Sequence, residues 1–213
     1  MKILMRCLSI LFALLALGAA VFGICLAIGN RDADTVLVTP APEALATADR
    51  LVEALSQGDY GAAEGLILGS PDLGIDREPE SETGKLLWNA WQESLTFTAT
   101  GDPVATDSGI ARTYAVRYLD IGSVTANLTE RSQALLEKRV KAAKNMSEIY
   151  DKNHEYREDF VMKILYDATV DALKEDAKYT ETTVTVSLVF REEKWWALPD
   201  ENLLNVLSGS FAG

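Results

Sequence analysis

Cysteine and histidine are almost absent from this 213-residue sequence. Both cysteines, Cys7 and Cys25, lie within the first thirty residues, so disulfides and thiolate metal sites are excluded from residues 31–213. His154 is the only histidine, and it lies among charged residues in DKNHEYRED, which is typical of a solvated surface or a helix junction. We therefore do not expect zinc binding or catalysis by a histidine base.

Basic residues are also few, with 20 lysines and arginines against 32 aspartates and glutamates. Lys2 and Arg6 are the only charged residues among the first thirty, so residues 31–213 keep 18 basic and all 32 acidic residues, a net charge of −14. Such a surface repels phosphate backbones and anionic lipid headgroups. The sequence also lacks a glycine-rich phosphate loop and a strongly basic patch. We expect no nucleic-acid partner and no cofactor.

The first thirty residues contain one long apolar run, from Leu8 to Gly29. At about 1.5 Å per helical residue this run reaches roughly 33 Å, which matches a hydrocarbon core of about 30 Å. The apolar part of a signal peptide is shorter, about 7–15 residues. The run therefore predicts a transmembrane anchor over residues 1–30.

The residues around this run predict its orientation. Lys2 and Arg6 precede it and the acidic NRDAD follows it, which favours a single-pass cell-membrane protein with its C-terminal domain outside the cytoplasm. Cleavage beside the small residues at 18–20 would instead give a secreted protein. Lipoprotein attachment at Cys25 is the weaker alternative, because Ile24 stands where a small residue is expected.

A linker and one domain are predicted after the anchor. Residues 31–42 contain prolines typical of a stiff linker, and residues 43–213 suit a single domain with a sizeable core. Apolar residues recur at helical spacing over 43–57, and Gly58 stands where a helix C-terminus is expected. Asp59 offers an N-cap to a second, short helix.

Strand patterns follow a third helix, which carries Trp88 and Trp91 on one stripe. Residues 95–120 contain two β-rich runs separated by GDP, which predicts a hairpin. One face of its second strand consists of Ile110, Tyr114, Val116 and Tyr118. The cleanest strand is TTVTVSLVF at 182–190, which the turn REEK returns to a pair of tryptophans.

The tryptophans in this pair, Trp195 and Trp196, face opposite sides of a strand and cannot form one platform. A two- or four-residue loop would pair Phe190 with Trp195 and place Trp195 in the core, leaving Trp196 on the opposite face. The core face would then hold Val184, Val186, Leu188, Phe190 and Trp195. A three- or five-residue loop would exchange the two tryptophans.

The stretch from 123 to 176 interleaves dense charges with apolar residues and is predicted to be helical. One straight helix of about 50 residues would reach roughly 75 Å, and the polar DKNHE at 151–155 indicates a bend, so we expect a helical hairpin. An apolar stripe through Val140, Met146 and Tyr150 either covers the domain's own core or pairs with another chain.

This order of elements resembles the NTF2-like superfamily. The most similar stretches are ALSQGDYGAAEGLI near the start and VSLVFREEKWWALPDENLLNVLSG at the end. The chain also resembles uncharacterised membrane-anchored proteins of Gram-positive gut bacteria, whose middle is similar to SEIYDKNHEYREDFVMKIL. The resemblance covers residues 31–213 and implies an α+β, cystatin-like fold. In that fold N-terminal helices pack on a curved antiparallel sheet to form a cone, here with a long helical insertion and one preceding transmembrane helix.

Six residues are candidates for a pocket or a partner surface: Trp88, Trp91, Tyr114, Tyr118, Asp120 and Trp196. The helix tryptophans and the strand tyrosines either line a pocket for an apolar ligand or pack the helix against the sheet. Asp120 ends its strand. It is either a strand-end or helix-capping residue or, as the resemblance to NTF2-like isomerases suggests, an acid or base in an apolar cone.

The sequence favours a membrane-anchored binding or interaction module over an enzyme. Its partner would be another envelope protein, a peptide or a small apolar ligand. One alternative is a cone-pocket enzyme that uses a desolvated carboxylate such as Asp120. The other alternative is a scaffold in which the long helices pair between chains.

Overall fold

The computed structural model describes residues 41–73, 79–198 and 201–209. The predicted anchor and most of the predicted linker lie outside these residues. Within the described ranges, none of the helices combines the length and the apolar character needed to cross a membrane.

Three helices open the described chain, as predicted. Helix α1, Pro42–Gln57, ends at Gly58, whose φ of 74° is left-handed and whose N–H reaches the last carbonyls of the helix. Helix α2, Tyr60–Glu64, is capped by Asp59, whose carboxylate accepts a hydrogen bond from the Ala62 amide at 3.0 Å. Helix α3, Glu82–Ser94, follows. The first elements are therefore set by local capping chemistry.

In the part of the chain that the structure describes, four antiparallel strands form one open sheet in the order β1-β2-β3-β4. Their bounds are Thr96–Thr106 for β1, Gly109–Asp120 for β2, Lys178–Arg191 for β3 and Lys194–Ala197 for β4. Sequential strands are neighbours, which is the simplest antiparallel connectivity. The predicted α+β class is confirmed.

The main core lies on one face of this sheet. The strand residues buried there include Ile110, Tyr114, Val116, Val184, Val186 and Leu188. Helix α1 lies against all four strands, and α3 lies against β2. The Leu119 amide donates a 2.7 Å hydrogen bond to Ser94 Oγ, which fixes the end of α3 to the sheet.

The turn of the β1–β2 hairpin differs from the prediction. The sequence GDP at 101–103 lies inside β1, where the pairing with β2 shifts between Thr100 and Val104. The actual turn is residues 107–108, because Thr106 pairs with Gly109. In the described sheet β1 is an edge strand, and an edge tolerates both a bulge and a proline without an N–H donor.

The insertion forms the predicted helical hairpin. Its elements are α4 at Ile121–Thr125, α5 at Leu128–Ala142, a 3₁₀ turn at Met146–Glu148 and α6 at Glu158–Glu175. Arg131 pairs with Glu175 and Asp176, with both N–O distances at 2.8 Å, and Arg139 pairs with Asp167. A second small core joins the two long helices through Leu128, Leu165 and Ala168.

A final helix, α7 at Glu201–Gly209, returns to the domain after β4. Its side chains Leu203, Val206 and Leu207 are buried in the main core. The residues predicted to end β4 and cap this helix, Pro199 and Asp200, lie outside the described residues.

Candidate functional site

The end of the β3–β4 hairpin, residues 190–196, carries three aromatic side chains on a tight turn. We call these residues the hairpin end. Phe190 pairs with Trp195, which leaves Glu192 and Glu193 as a two-residue loop. This register confirms the prediction that Trp195 shares the core-facing side of β3 and that Trp196 faces the other side.

The turn itself is strained. Glu192 has φ 50° and Glu193 has φ 63°, so two consecutive non-glycine residues adopt the left-handed conformation. A two-residue hairpin requires this geometry, but asparagine and glycine normally supply it, and other residues lose about 1–2 kcal/mol each. Backbone strain of this kind concentrates at functional surfaces. Ser70 and His154 are also left-handed, but among the described residues only the hairpin end has two such non-glycine residues in succession.

Phe190 is exposed, which contradicts the prediction that it lies in the core. Its side chain is 51% exposed, and its ring lies 5.4 Å from the Trp195 ring at an angle of 58°. Trp195 is half-buried against the edge of the main core. The alternation along β3 places Phe190 on the correct face, but this last stretch of the strand extends beyond the main core.

Trp196 is held in one orientation on the opposite face. Lys194 Nζ lies 3.6 Å from the centre of its ring, and the indole Nε1 donates a 3.2 Å hydrogen bond to the Arg191 carbonyl. The side chain is half-buried. A cation over the ring stabilises the orientation by about 0.5–1 kcal/mol at an exposed site. The hairpin end thus presents fixed aromatic groups on both faces of the strand.

The tryptophans of α3 pack inside the domain. Trp91 is fully buried, and Trp88 is half-buried with its ring 5.4 Å from that of Trp91 and 6.2 Å from that of Tyr60. Their surroundings favour the packing interpretation over a ligand pocket.

Tyr114 is 1% exposed and joins α1 to the sheet through its hydroxyl group. This hydroxyl donates a 2.8 Å hydrogen bond to Asp49 Oδ1. Arg112 Nε lies 3.3 Å from the same oxygen, within ion-pair distance but not aligned as a hydrogen bond. Burial, and then the Asp49 carboxylate, raise the pKa of Tyr114 above its usual value. Tyr118 is half-buried, and burial also raises its pKa.

The raised pKa of Tyr114 predicts a loss of stability at alkaline pH. The unfolded chain releases this proton near pH 10, whereas the folded chain retains it, so the contribution of Tyr114 is complete below about pH 10 and is lost as pH rises further. We expect Tyr114→Phe to be less stable at pH 8 by about 1 kcal/mol and to show a shallower decline above pH 10. Urea unfolding at pH 8, 10 and 11 measures how the unfolding free energy of each protein changes with pH. The same change in the unchanged chain and in Tyr114→Phe would contradict this assignment.

Asp120 caps helix α4. Its Oδ1 accepts a 3.3 Å hydrogen bond from the Ser123 amide, and its carbonyl accepts a 2.7 Å hydrogen bond from Ser123 Oγ. Ser123 Oγ in turn accepts a 3.0 Å hydrogen bond from the Lys178 amide at the start of β3. These contacts bear out the capping interpretation. They leave the side chain half-buried beside the strand end.

Over residues 41–73, 79–198 and 201–209, the structure brings no three histidine, cysteine or acidic side chains together in a way that could hold a metal ion. The polar side chains buried in the same ranges are threonines and a serine: Thr47, Thr83, Ser132 and Thr169. No carboxylate of the described chain is therefore buried in the core, where a strongly desolvated general acid or base would lie.

The sequence reasoning missed two features of the site. One is the Asp49 contact with Arg112 and Tyr114. Its only signal is the charge of Arg112 on a strand face that otherwise carries apolar and aromatic residues. The other is the exposure of Phe190, which the strand alternation does not indicate.

Comparisons with protein-family models, with curated proteins and with solved structures give no match to this chain.

Proposed function

We propose that the chain is a membrane-anchored, extracytoplasmic binding module and that the hairpin end is its binding surface. The observation that carries this proposal is the half-exposed Phe190, whose ring packs at a tilt against Trp195 beside a strained turn. Exposed, rigid aromatic side chains are typical anchors of protein interfaces. Trp196 and Lys194 extend the surface to the opposite face of the strand.

The partner fits best as another envelope protein, or a peptide segment of one, that carries apolar and basic side chains. Residues 31–213 have a net charge of −14, so a basic partner would be attracted to this domain. The same charge opposes anionic lipid headgroups and nucleic acid. A small apolar ligand is less suited, because the aromatic groups lie on an exposed hairpin and not in an enclosed pocket.

The location and the finer fold class belong to the same proposal. The apolar run from Leu8 to Gly29 and the charges on either side of it support an anchor with the domain outside the cytoplasm. Support for an NTF2-like fold is the order of three helices followed by an antiparallel sheet, whereas the long helices inserted between β2 and β3 depart from the usual short connection of that superfamily. The hairpin end includes most of β4, which is an edge strand of the described sheet.

The scaffold alternative depends on the apolar stripe of the insertion. Met146 is 52% exposed, but Val140 and Tyr150 are half-buried, and the Tyr150 ring stacks on that of Tyr156 at 5.0 Å. Two of the three stripe side chains are thus partly covered by contacts within the chain itself. Light scattering of the purified chain at high concentration tests this alternative, because a strict monomer excludes pairing through these helices.

Two matched variants test the binding surface. Phe190 and Val104 are both strand residues with exposed side chains, at 51% and 62%, but only Phe190 lies in the hairpin end. The measurement is the amount of partner that co-purifies with the detergent-extracted chain. We expect Phe190→Ser to lower this amount by about tenfold or more, the usual effect of losing an interface anchor. Val104→Ser should retain the partner. Thermal unfolding of both variants checks that they remain folded, and equal recovery with both would contradict the proposal.

A further inference from the structure

A cavity lies at the far end of the helical insertion, in a different part of the chain from the hairpin end. It is a cleft largely open to solvent, and its volume is about 450 Å³, within the range of small-molecule sites. It forms where the last turn of α5, the 3₁₀ turn and the first turns of α6 meet. The lining residues are Arg139, Ala142, Ala143, Glu148, Ile149, Asp159, Phe160 and Lys163.

Two of the four charged groups in this cavity are already paired within the chain. Arg139 is paired with Asp167 across the helical hairpin. Asp159 accepts two 3.1 Å hydrogen bonds from the Arg157 guanidinium, and this pairing holds the pKa of Asp159 below its usual value. These pairs leave little net charge at their positions.

The other two charged groups remain available to a ligand. Lys163 makes no ion pair with any carboxylate in the described ranges. Within the described residues, the Glu148 carboxylate accepts one side-chain hydrogen bond, a long 3.4 Å contact from the amide group of Asn145. The cavity therefore offers one ammonium group and one carboxylate group, contributed by different elements, as charged partners.

Apolar surface accompanies these two charges. Ile149 is 2% exposed in the chain as a whole, and its carbonyl accepts a 2.8 Å hydrogen bond from the Arg157 amide. Phe160 stacks on Tyr156, with the ring centres 6.4 Å apart. Because Ile149 is buried and Phe160 packs against Tyr156 of the loop between the helices, the apolar part of the site is formed before a ligand binds.

We propose that this cavity binds a small zwitterion with an apolar side chain, of the size of a dipeptide. The carboxylate of the ligand would meet Lys163, its ammonium group would meet Glu148, and its apolar side chain would contact Phe160, which is half-buried, above the buried Ile149. The helical hairpin brings the C-terminus of α5 and the N-terminus of α6 to the same place. The partial negative charge at the C-terminus of α5 favours the ligand's ammonium group, and the partial positive charge at the N-terminus of α6 favours its carboxylate. Recognition of both charges would make the site selective for free peptides over blocked ones.

Calorimetric titration of the full-length chain with the dipeptide Leu-Phe tests the proposal. We expect saturable binding, and at least about tenfold weaker binding of N-acetyl-Leu-Phe and of Leu-Phe amide, because each derivative removes one charge. Lys163→Gln should weaken Leu-Phe by a similar factor and remove the preference for the free carboxylate. Lys174→Gln, an exposed lysine on the same helix outside the cavity, should bind as the unchanged chain does.

A second variant separates loss of the site from loss of the fold. Ala142→Trp places a large side chain in the cavity from an exposed position of α5, so we expect it to abolish binding with little change in thermal unfolding. The proposal is overturned if Leu-Phe gives no saturable heat up to about 10 mM, a range that includes weak ligands. It is also overturned if binding is unchanged in Lys163→Gln or in Ala142→Trp. Neither result bears on the hairpin end.

Discussion

Gly109→Ala will lower the thermal unfolding midpoint of the purified chain by roughly 6–12 °C. Gly109 is the buried first residue of β2, and a Cβ atom built there would lie 1.8 Å from the backbone oxygen of Leu188. That oxygen belongs to β3, so the clash cannot be relieved by a side-chain rotation. The two strands would have to separate where their pairing begins. Overpacking of this kind costs about 3 kcal/mol, at about 2–4 °C per kcal/mol for a domain of this size.

Gly61→Ala is the matched control for this prediction. Gly61 lies in α2, where the nearest atom that an added Cβ would meet is Asp59 Oδ1 at 4.0 Å. Alanine has the higher helix propensity, so we expect no loss of stability and a gain of up to about 1 kcal/mol. Both variants are followed by tryptophan fluorescence, since all four tryptophans lie in described elements. If Gly109→Ala unfolds at the same temperature as the unchanged chain, the close approach of β2 and β3 at this position is wrong.

Trp91→Ala will cost about 3–5 kcal/mol of unfolding free energy. Trp91 is fully buried among the side chains that join α3 to the sheet, and alanine would leave a cavity that the surrounding backbone can fill only in part. Trp88→Ala, three residues earlier on the same helix, should cost less because Trp88 is half-buried. Urea unfolding of the two variants gives both values.

The same pair of variants separates the packing interpretation from the pocket interpretation. A tryptophan that lines an open ligand pocket contributes little to stability without its ligand, so its removal would leave the unfolding midpoint nearly unchanged. A loss below about 1 kcal/mol for Trp91→Ala would favour the pocket. The buried position of Trp91 predicts the larger loss.

Local chemistry in the sequence was enough to predict several elements. Gly58 and Asp59 mark the end of α1 and the start of α2, because a left-handed glycine and an N-capping carboxylate act within a few residues. The register of the β3–β4 hairpin was predictable only once the loop length was known, since a two-residue loop pairs Phe190 with Trp195 whereas a three-residue loop would exchange the two tryptophans. The partners in all of these interactions lie close together along the chain.

Features that depend on distant contacts were not predictable in the same way. The sequence GDP at 101–103 has the composition of a turn, but the pairing of β1 with β2 places the turn at 107–108. Tyr114 and Asp49 are 65 residues apart, and no local pattern joins them. Phe190 lies on the correct strand face yet is exposed, because its burial depends on how far the covering elements extend. Two of these three features involve candidate site residues or the hairpin end.

The most direct test of the proposed binding surface is photo-crosslinking from position 190 in membranes of the producing cell. A benzophenone amino acid at position 190 is compared with the same amino acid at position 104, whose side chain is at least as exposed. We predict one discrete adduct from position 190 that is absent from position 104 and is reduced when Trp195 is replaced by serine. No adduct from position 190, or the same adducts from both positions, would contradict the claim that the chain binds its partner through the hairpin end.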